Sequence, residues 1–222
     1  MIKYILFDVD GTLLDFTAGE RMAFINTIKH ISSIEVNDED IKMFSKINEE
    51  AFQLYNNKKL TRPEFHHLRF EKILKYLEID SDIDLANQYY VNELKYSAVL
   101  YNDVIDCLNY LSQKYELYIA SNGMTEVQRK RLELAHINQY FKKEYISEEI
   151  GYNKPDKEFF DYIFKDINDL DKTHYAIIGD RMDSDIIGGI NAGIHTIYLN
   201  RTNSPLNNLD MIYSLNDVKM IL

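Results

Sequence analysis

Four polar clusters in this 222-residue chain have the residue types and spacing for chemistry on an anionic group. Asp8 and Asp10 close the apolar run Tyr4-Ile5-Leu6-Phe7, and Ser121-Asn122-Gly123 closes Ile119-Ala120. Gly179-Asp180 closes Ile177-Ile178, with Asp185 five residues further on, and Gly151-Tyr152-Asn153-Lys154-Pro155 sets a lysine in a turn ahead of a helical pattern. Asp8 and Asp10 alone could simply mark the start of a loop, but comparable endings recur down the chain. If the runs are parallel strands, Asp8, Ser121 and Asp180 converge on one edge of a sheet. Asp8, Asp10, Asp180 and Asp185 would repel one another there, and Lys154 together with a divalent cation offsets most of that charge. Oxygen ligands with room for water suit Mg²⁺, whereas zinc would want histidine or thiolate. No two histidines have metal spacing; the adjacent His66 and His67 point to different faces of a helix.

The elements that must position these groups follow from hydrophobic periodicity. Tyr4 to Phe7, Leu117 to Ala120, Tyr175 to Ile178 and Thr196 to Leu199 are too short for helices and read as buried strands, with Tyr145-Ile146 a fainter one. Helical patterns lie between them, one opened by a capping box at Thr125 and Gln128. Strands alternating with helices predict an open parallel α/β sheet, Rossmann-like, with ligands at the strand carboxyl ends.

Residues 15 to 95 differ, because four helical patterns follow one another with no strand between them. Met22, Ile25 and Ile28 form one stripe, and Ile41, Ile47, Ala51 and Leu54 another. Thr61 with Glu64 opens a helix through Phe65, Leu68, Ile73, Leu74 and Leu77, and a last pattern runs from Leu85 through Tyr89 to Leu94. The expected organisation is an α/β core of residues 1–14 and 96–222 with a helical domain of residues 15–95 inserted after the first strand. Asn200 to Asn208 reads as a surface loop, and Gly188 to Gly193 lacks dinucleotide-binding spacing and reads as close helix packing with Gly193 as the stop.

Composition narrows the classes. With 45% apolar and 27% charged residues the chain is globular rather than disordered. A net charge of −11 excludes a broad polyanion-binding face, so no nucleic acid polymer is expected, while a small anion remains possible at a local site. The single cysteine, Cys107, excludes internal disulfides and reads as a small core residue. Asp8 and Asp10 interrupt any secretion signal, and no apolar run approaches the ~20 residues of a membrane span, so a soluble cytoplasmic protein is expected. Glycine is scarce at 8 residues, yet Gly11, Gly123, Gly151 and Gly179 each fall in one of the four clusters.

Asp8-Val9-Asp10-Gly11-Thr12, Ser121-Asn122-Gly123, Lys154-Pro155 and Gly179-Asp180 with Asp185 resemble, in order and spacing, the four motifs of the haloacid dehalogenase-like superfamily. The helical block resembles that superfamily's cap of the kind inserted after the first motif (C1 type). Leu13-Leu14-Asp15-Phe16, Lys59-Leu60-Thr61-Arg62, Gly151 through Asp156 and Ile178-Gly179-Asp180-Arg181 are similar to its bacterial pyrimidine 5′-nucleotidase branch.

The resemblance implies an Mg²⁺-dependent phosphomonoesterase in which Asp8 attacks phosphorus, and Asp10 protonates the leaving oxygen and then activates water. It implies that Asp8, the Asp10 carbonyl and Asp180 hold the metal, that Ser121, Asn122 and Lys154 bind the phosphoryl group, and that Asp185 orients Lys154 or a metal-bound water. Asp183 and Ser184 read instead as a helix cap. Phe16, Asn48, Arg62, Phe65, His66 and Arg69 are the cap candidates for substrate contact, each equally readable as packing or solvated face. Within the superfamily that the motifs resemble, an acid at the position of Asp10 implies phosphoester chemistry rather than dehalogenation or phosphonate cleavage. The substrate expected is a small phosphorylated metabolite, first a pyrimidine nucleoside monophosphate; phosphoglycolate, a sugar phosphate, a phosphoglucomutase-like reaction and a noncatalytic binding protein are the alternatives.

Overall fold

The computed structural model describes residues 1–201 and 210–222. All of the expected loop after Arg201 therefore lies outside the described residues. The chain divides into two compact units, Met1–Phe16 with Ala98–Leu222, and Thr17–Ser97.

The first unit is a Rossmann-like parallel sheet of six strands: β1 (Tyr4–Phe7), β2 (Glu116–Ser121), β3 (Phe141–Ile146), β4 (Tyr175–Gly179), β5 (His195–Leu199) and β6 (Met211–Ile212). Their order across the sheet is β3-β2-β1-β4-β5-β6, every pair parallel. The chain leaves β1 toward one edge and returns to its other side as β4, so the topological switch falls between β1 and β4, where such sheets take ligands. Side chains alternate as a pleated strand requires. Ile5, Phe7 and Ile119 pack on one face with Val104, Cys107 and Leu108. Leu6, Ala120 and Ile177 pack on the other with Phe159, Phe160 and Ile163.

The helices of this unit are α5 (Val104–Leu111), α6 (Thr125–Leu134), the single-turn α7 (Ser147–Ile150), α8 (Lys157–Ile167) and α9 (Ile187–Ala192), following four in the other unit. Cys107 is buried in α5, and burial pushes its thiol up to about 12, an inert core group. β3 is longer than its sequence signal because it is an edge strand: its first half carries the solvated Lys142 and Lys143, and only Tyr145 and Ile146 are fully covered.

The second unit contains α1 (Phe16–Ile31), α2 (Asp38–Asn56), α3 (Arg62–Tyr76) and α4 (Ile83–Lys95). Thr61 and Glu64 form the expected capping box of α3, and Asn37 with Asp40 forms another on α2. Two stripes differ from expectation. On α1 the buried face is Glu20, Ala23, Phe24, Thr27 and Ile28, with Met22 exposed; on α4 it is Ala86, Tyr90 and Leu94, with Leu85 exposed. In each case an alanine takes the inward position that apolar counting assigned to its larger neighbour, Ala23 beside Met22 and Ala86 beside Leu85. No described helix is long and apolar enough to cross a membrane.

The central strands, covered on both faces, should dominate stability. Ile177→Ala, at a fully buried position of β4, is expected to cost about 2–5 kcal/mol in urea unfolding. Ile190→Ala, on the solvated side of α9, should stay within about 0.5 kcal/mol. Equal costs at the two positions would contradict this layering.

Candidate active site

Three carboxylates meet at the switch point. Asp8 directly follows β1, its N–H bonded to the Ile178 carbonyl of β4 at 3.0 Å, and Asp180 directly follows β4. Asp185 comes back to the same place on a π-helical turn, Met182–Ile186. One carboxylate oxygen from each of Asp8, Asp180 and Asp185 lies within 4.8 Å of the other two. Asp183 and Ser184 are not a cap: Asp183 pairs with Arg181 at 2.9 Å, and Ser184 sits buried inside the turn.

Lys154, from the loop between α7 and α8, reaches this cluster. Its Nζ is 2.7 Å from both Asp8 Oδ1 and Asp185 Oδ1 and also donates to the Ala120 carbonyl. An ammonium has three protons, and all three are committed. The Asn122 carboxamide grips the Lys154 backbone from both sides, Oδ1 accepting its N–H and Nδ2 donating to its carbonyl, each at 2.8 Å. The side chain of Asn122 thus holds the lysine turn.

The electrostatics follow from burial. Desolvation, reinforced by Asp185, pushes Asp8 up to about 7 despite Lys154. Desolvation with repulsion from Asp8 and Asp185 pushes Asp180 up to about 8. Lys154 resists its own burial because Asp185 and Asp8 favour its charge, and it stays above the ordinary lysine value. Three carboxylates against one ammonium leave two formal negative charges, which a divalent cation cancels. The donors are all hard oxygens, so the cluster fits Mg²⁺.

Asp10 lies outside this three-carboxylate group, although its charge still adds to the repulsion that raises Asp8. Its two oxygens accept from Gln128 Nε2 at 2.7 Å and from Arg131 Nη1. Both partners lie on α6 and are almost completely buried. Gln128 is therefore not the capping residue its spacing with Thr125 suggested; the first turn of α6 has no side-chain cap bond, and the Thr125 N–H goes to Glu148 at 2.8 Å. Gln128 Nε2 also reaches Ser121 Oγ at 2.9 Å. The three-residue spacing that mimics a capping box concealed Gln128, and Arg131 in a polar helical stretch gave no signal of its own.

The loop after β1 is clamped from a distant part of the chain. Arg201 donates to the carbonyls of Thr12 at 2.8 Å and Gly11 at 3.2 Å, pairs with Asp103 at 3.0 Å and stacks 3.8 Å over Tyr101. Asp103 in turn accepts from Ser214 Oγ and the Leu215 N–H. Within the clamped loop Thr12 Oγ1 bonds Asp180 Oδ1 at 3.3 Å, and Gly11 has φ +83° with no room for a side chain: a Cβ there would lie 2.1 Å from Asp180 Oδ2.

The remaining candidates belong to the helical unit or its junction. Phe16 is the first residue of α1, at the boundary of the units. Asn48 and Arg69 are buried and bonded to each other at 3.1 Å; Asn48 also donates to Glu20 at 2.8 Å and Arg69 to Asn87 at 2.6 Å. Arg69 lies 4.5 Å over the Tyr90 ring and 5.0 Å over Phe65. Arg62 covers Tyr55, and His66 packs beside Phe65. Burial, with Arg69 and Arg62 nearby, holds His66 down at about 3, so its imidazole is neutral. Glu20, the acid of this network, was not singled out by the sequence.

A family model described as haloacid dehalogenase-like hydrolase matches residues 2–193. The chain is 34% identical to the HAD-hydrolase YfnB of Bacillus subtilis over 91% of its own length and 86% of that protein's. The magnesium-bound crystal structure of YfnB superposes with a TM-score of 0.93, at 32% identity, covering 99% of this chain and 98% of that one. Identity is 32% to the pyrimidine 5′-nucleotidase PynA of Streptococcus pneumoniae, over 89% of this chain and 84% of PynA. It is 30% to the pyrimidine 5′-nucleotidase YjjG of Escherichia coli, over 89% and 85%.

Two measurements test the cluster. Because the folded-state values of Asp8 and Asp180 are raised, the metal-free protein binds more protons than its unfolded chain, and their contribution to stability is lost as pH rises from about 4 to about 8. Mg²⁺ binds the ionised form, so its stabilisation in thermal melts against chelator should be clearly larger at pH 8.5 than at pH 5.5, and Asp180→Asn should remove it. An Mg²⁺ effect independent of pH would contradict the assignment. Gly11→Ala should displace Asp180 and weaken Mg²⁺ binding by at least about tenfold in calorimetry, a shift of ~1.4 kcal/mol; wild-type affinity in that variant would show that the contact is not formed.

Proposed function

The chain belongs to the haloacid dehalogenase-like hydrolase family, and from that premise we propose that it is an Mg²⁺-dependent phosphomonoesterase acting on pyrimidine nucleoside 5′-monophosphates. The observation that carries the chemistry is the Lys154 ammonium fixed between Asp8 and Asp185, with Asp180 beside them. The similarity to two pyrimidine 5′-nucleotidases along nine-tenths of the chain supports the substrate class.

In this reading Asp8 is the nucleophile. A carboxylate attacks without prior deprotonation, and Lys154, by gripping Oδ1, sets the direction in which Oδ2 faces. Attack forms an Asp8–phosphorus bond and breaks the ester bond, and a protonated Asp10 gives its proton to the departing oxygen. As carboxylate, Asp10 then takes a proton from water, whose oxygen displaces Asp8 and releases phosphate. Ser121 donates to a phosphoryl oxygen, with backbone N–H groups near Asn122 and after Asp8. Asp8, the Asp10 carbonyl and Asp180 would hold Mg²⁺, with Asp185 orienting Lys154. When bound, the ion supplies positive charge that offsets repulsion between Asp8 and the phosphate dianion.

The helical unit is the proposed cap, selecting the substrate. Asn48 and Arg69 are bonded within their own network and Phe65 is buried, so the partly exposed Phe16, Arg62 and His66 are the contacts proposed. A neutral His66 offers one donor and one acceptor, a match for an uncharged base rather than for phosphate.

Phosphate release from UMP, dUMP, dTMP, AMP, phosphoglycolate and glucose phosphates, with Mg²⁺ and with chelator, tests the proposal. Pyrimidine nucleotides are expected to be hydrolysed fastest and chelator to stop turnover. Asp8→Asn should lower kcat by roughly 10⁴-fold or more, and Asp10→Asn by about 10²–10⁴-fold. Faster hydrolysis of phosphoglycolate than of every nucleotide would reject the nucleotidase reading; full activity of Asp8→Asn would reject the mechanism.

A further inference from the structure

We propose that Gln128 is a positioning residue that fixes Asp10 and Ser121 in one arrangement, with Arg131 setting the direction of its carboxamide. The proposal rests on the phosphomonoesterase reading and names residues outside the four motifs.

The argument is one of donor and acceptor polarity. Guanidinium groups only donate, and Arg131 Nη1 lies 3.1 Å from Gln128 Oε1. The carboxamide oxygen of Gln128 must therefore face Arg131, and its NH₂ must face the other way. One N–H goes to Asp10 Oδ2 at 2.7 Å and the other to Ser121 Oγ at 2.9 Å. Arg131 also donates to Asp10 Oδ1, so both oxygens of that carboxylate are held from α6.

The consequence for Ser121 is specific. A hydroxyl has two lone pairs and one proton. Ser121 Oγ accepts from Gln128 and, at 3.1 Å, from the Gly123 N–H, which uses both lone pairs. Only the proton is left to give, and a donor is what an anionic phosphoryl oxygen needs. Gln128 thus orients the Ser121 proton outward while it holds Asp10.

Two further features point the same way. Gln128 and Arg131 are each 1% exposed although strongly polar, and besides bonding each other they cross from α6 to the loop after β1 and, through Gln128, to the end of β2. At Gly123 a Cβ would lie 2.6–2.8 Å from three atoms of the Gln128 side chain, so the loop after β2 has space for this carboxamide only because that residue is glycine.

The test uses two near-isosteric variants of the full chain with Mg²⁺. Gln128→Met removes both N–H donors without adding charge; Gln128→Glu still accepts from Arg131 but cannot donate, repels Asp10 and draws the Ser121 proton to itself. The readout is kcat/KM, which reports steps up to departure of the leaving group, on p-nitrophenyl phosphate and on the best alkyl phosphomonoester of the panel. A phenolate leaves without a proton donor, so misplacing Asp10 should matter less for it. Gln128→Met should lose at least about tenfold more on the alkyl ester than on the aryl ester, within the range of a general acid's contribution. Gln128→Glu should in addition raise the inhibition constant of orthovanadate by more than about tenfold.

Equal losses on both esters, or none, in a variant that melts cooperatively would reduce Gln128 to a packing residue and overturn the proposal. If Gln128→Met does not fold, the vanadate arm with Gln128→Glu decides it, unchanged inhibition overturning it. A wild-type protein that hydrolyses neither ester rejects the phosphomonoesterase reading itself, and this proposal with it.

Discussion

The arrangement of this protein's sheet edge depends on a single buried ammonium. Lys154 is 1% exposed, and charge is buried at that depth only when every proton finds a partner. Its three partners come from three places: Asp8 after β1, the Ala120 carbonyl in β2 and Asp185 after β4. They meet only if the strands are parallel and in register, with Phe7 level with both Ile119 and Ile178. The ion pair and the sheet topology are therefore one constraint. Asp180 receives no proton from the ammonium, and desolvation together with the charges of Asp8 and Asp185 raises it.

Charge at this edge is divided between two buried cations. Lys154 serves Asp8 and Asp185, and Arg131 serves Asp10. The division separates two carboxylates only two residues apart in sequence, with Gln128 spanning from Asp10 to Ser121. A third cation, Arg201, acts on backbone instead: it holds the carbonyls of Gly11 and Thr12 while Thr12 and the bare Gly11 fit around Asp180. Arg201 lies beyond residue 193, where the family match ends. The loop that follows the first strand is thus fastened by a segment outside the matched span.

The helical unit solves a similar problem with different partners. Glu20 is buried and desolvation raises it, but Ser45 and Asn48 donate to it, and Asn48 passes the connection to Arg69. Rings of Phe65, Phe70 and Tyr90 surround the guanidinium of Arg69. A buried network of this kind is costly to break at one member, because the others are left uncompensated. It accounts for polar residues on the inward stripes of α1 and α2 that a purely apolar period misassigns.

The sequence made legible whatever is encoded in local spacing. Three apolar runs with polar ends placed Asp8, Ser121 and Asp180, and the parallel arrangement they demanded is the one observed. Family membership could be read from the same four clusters, because motif order survives in one dimension. Gln128, Arg131 and Arg201 could not be found that way. Their partners lie 118, 121 and 190 residues away, and nothing in a window around any of them differs from an ordinary polar helix or loop. Gln128 was actively disguised, since a glutamine three residues after a threonine satisfies a local rule. That rule describes a bond of modest net value, about 1 kcal/mol, between neighbours. A partly buried carboxylate and a buried serine hydroxyl each take one of its two N–H donors, and that larger demand decides where the side chain goes.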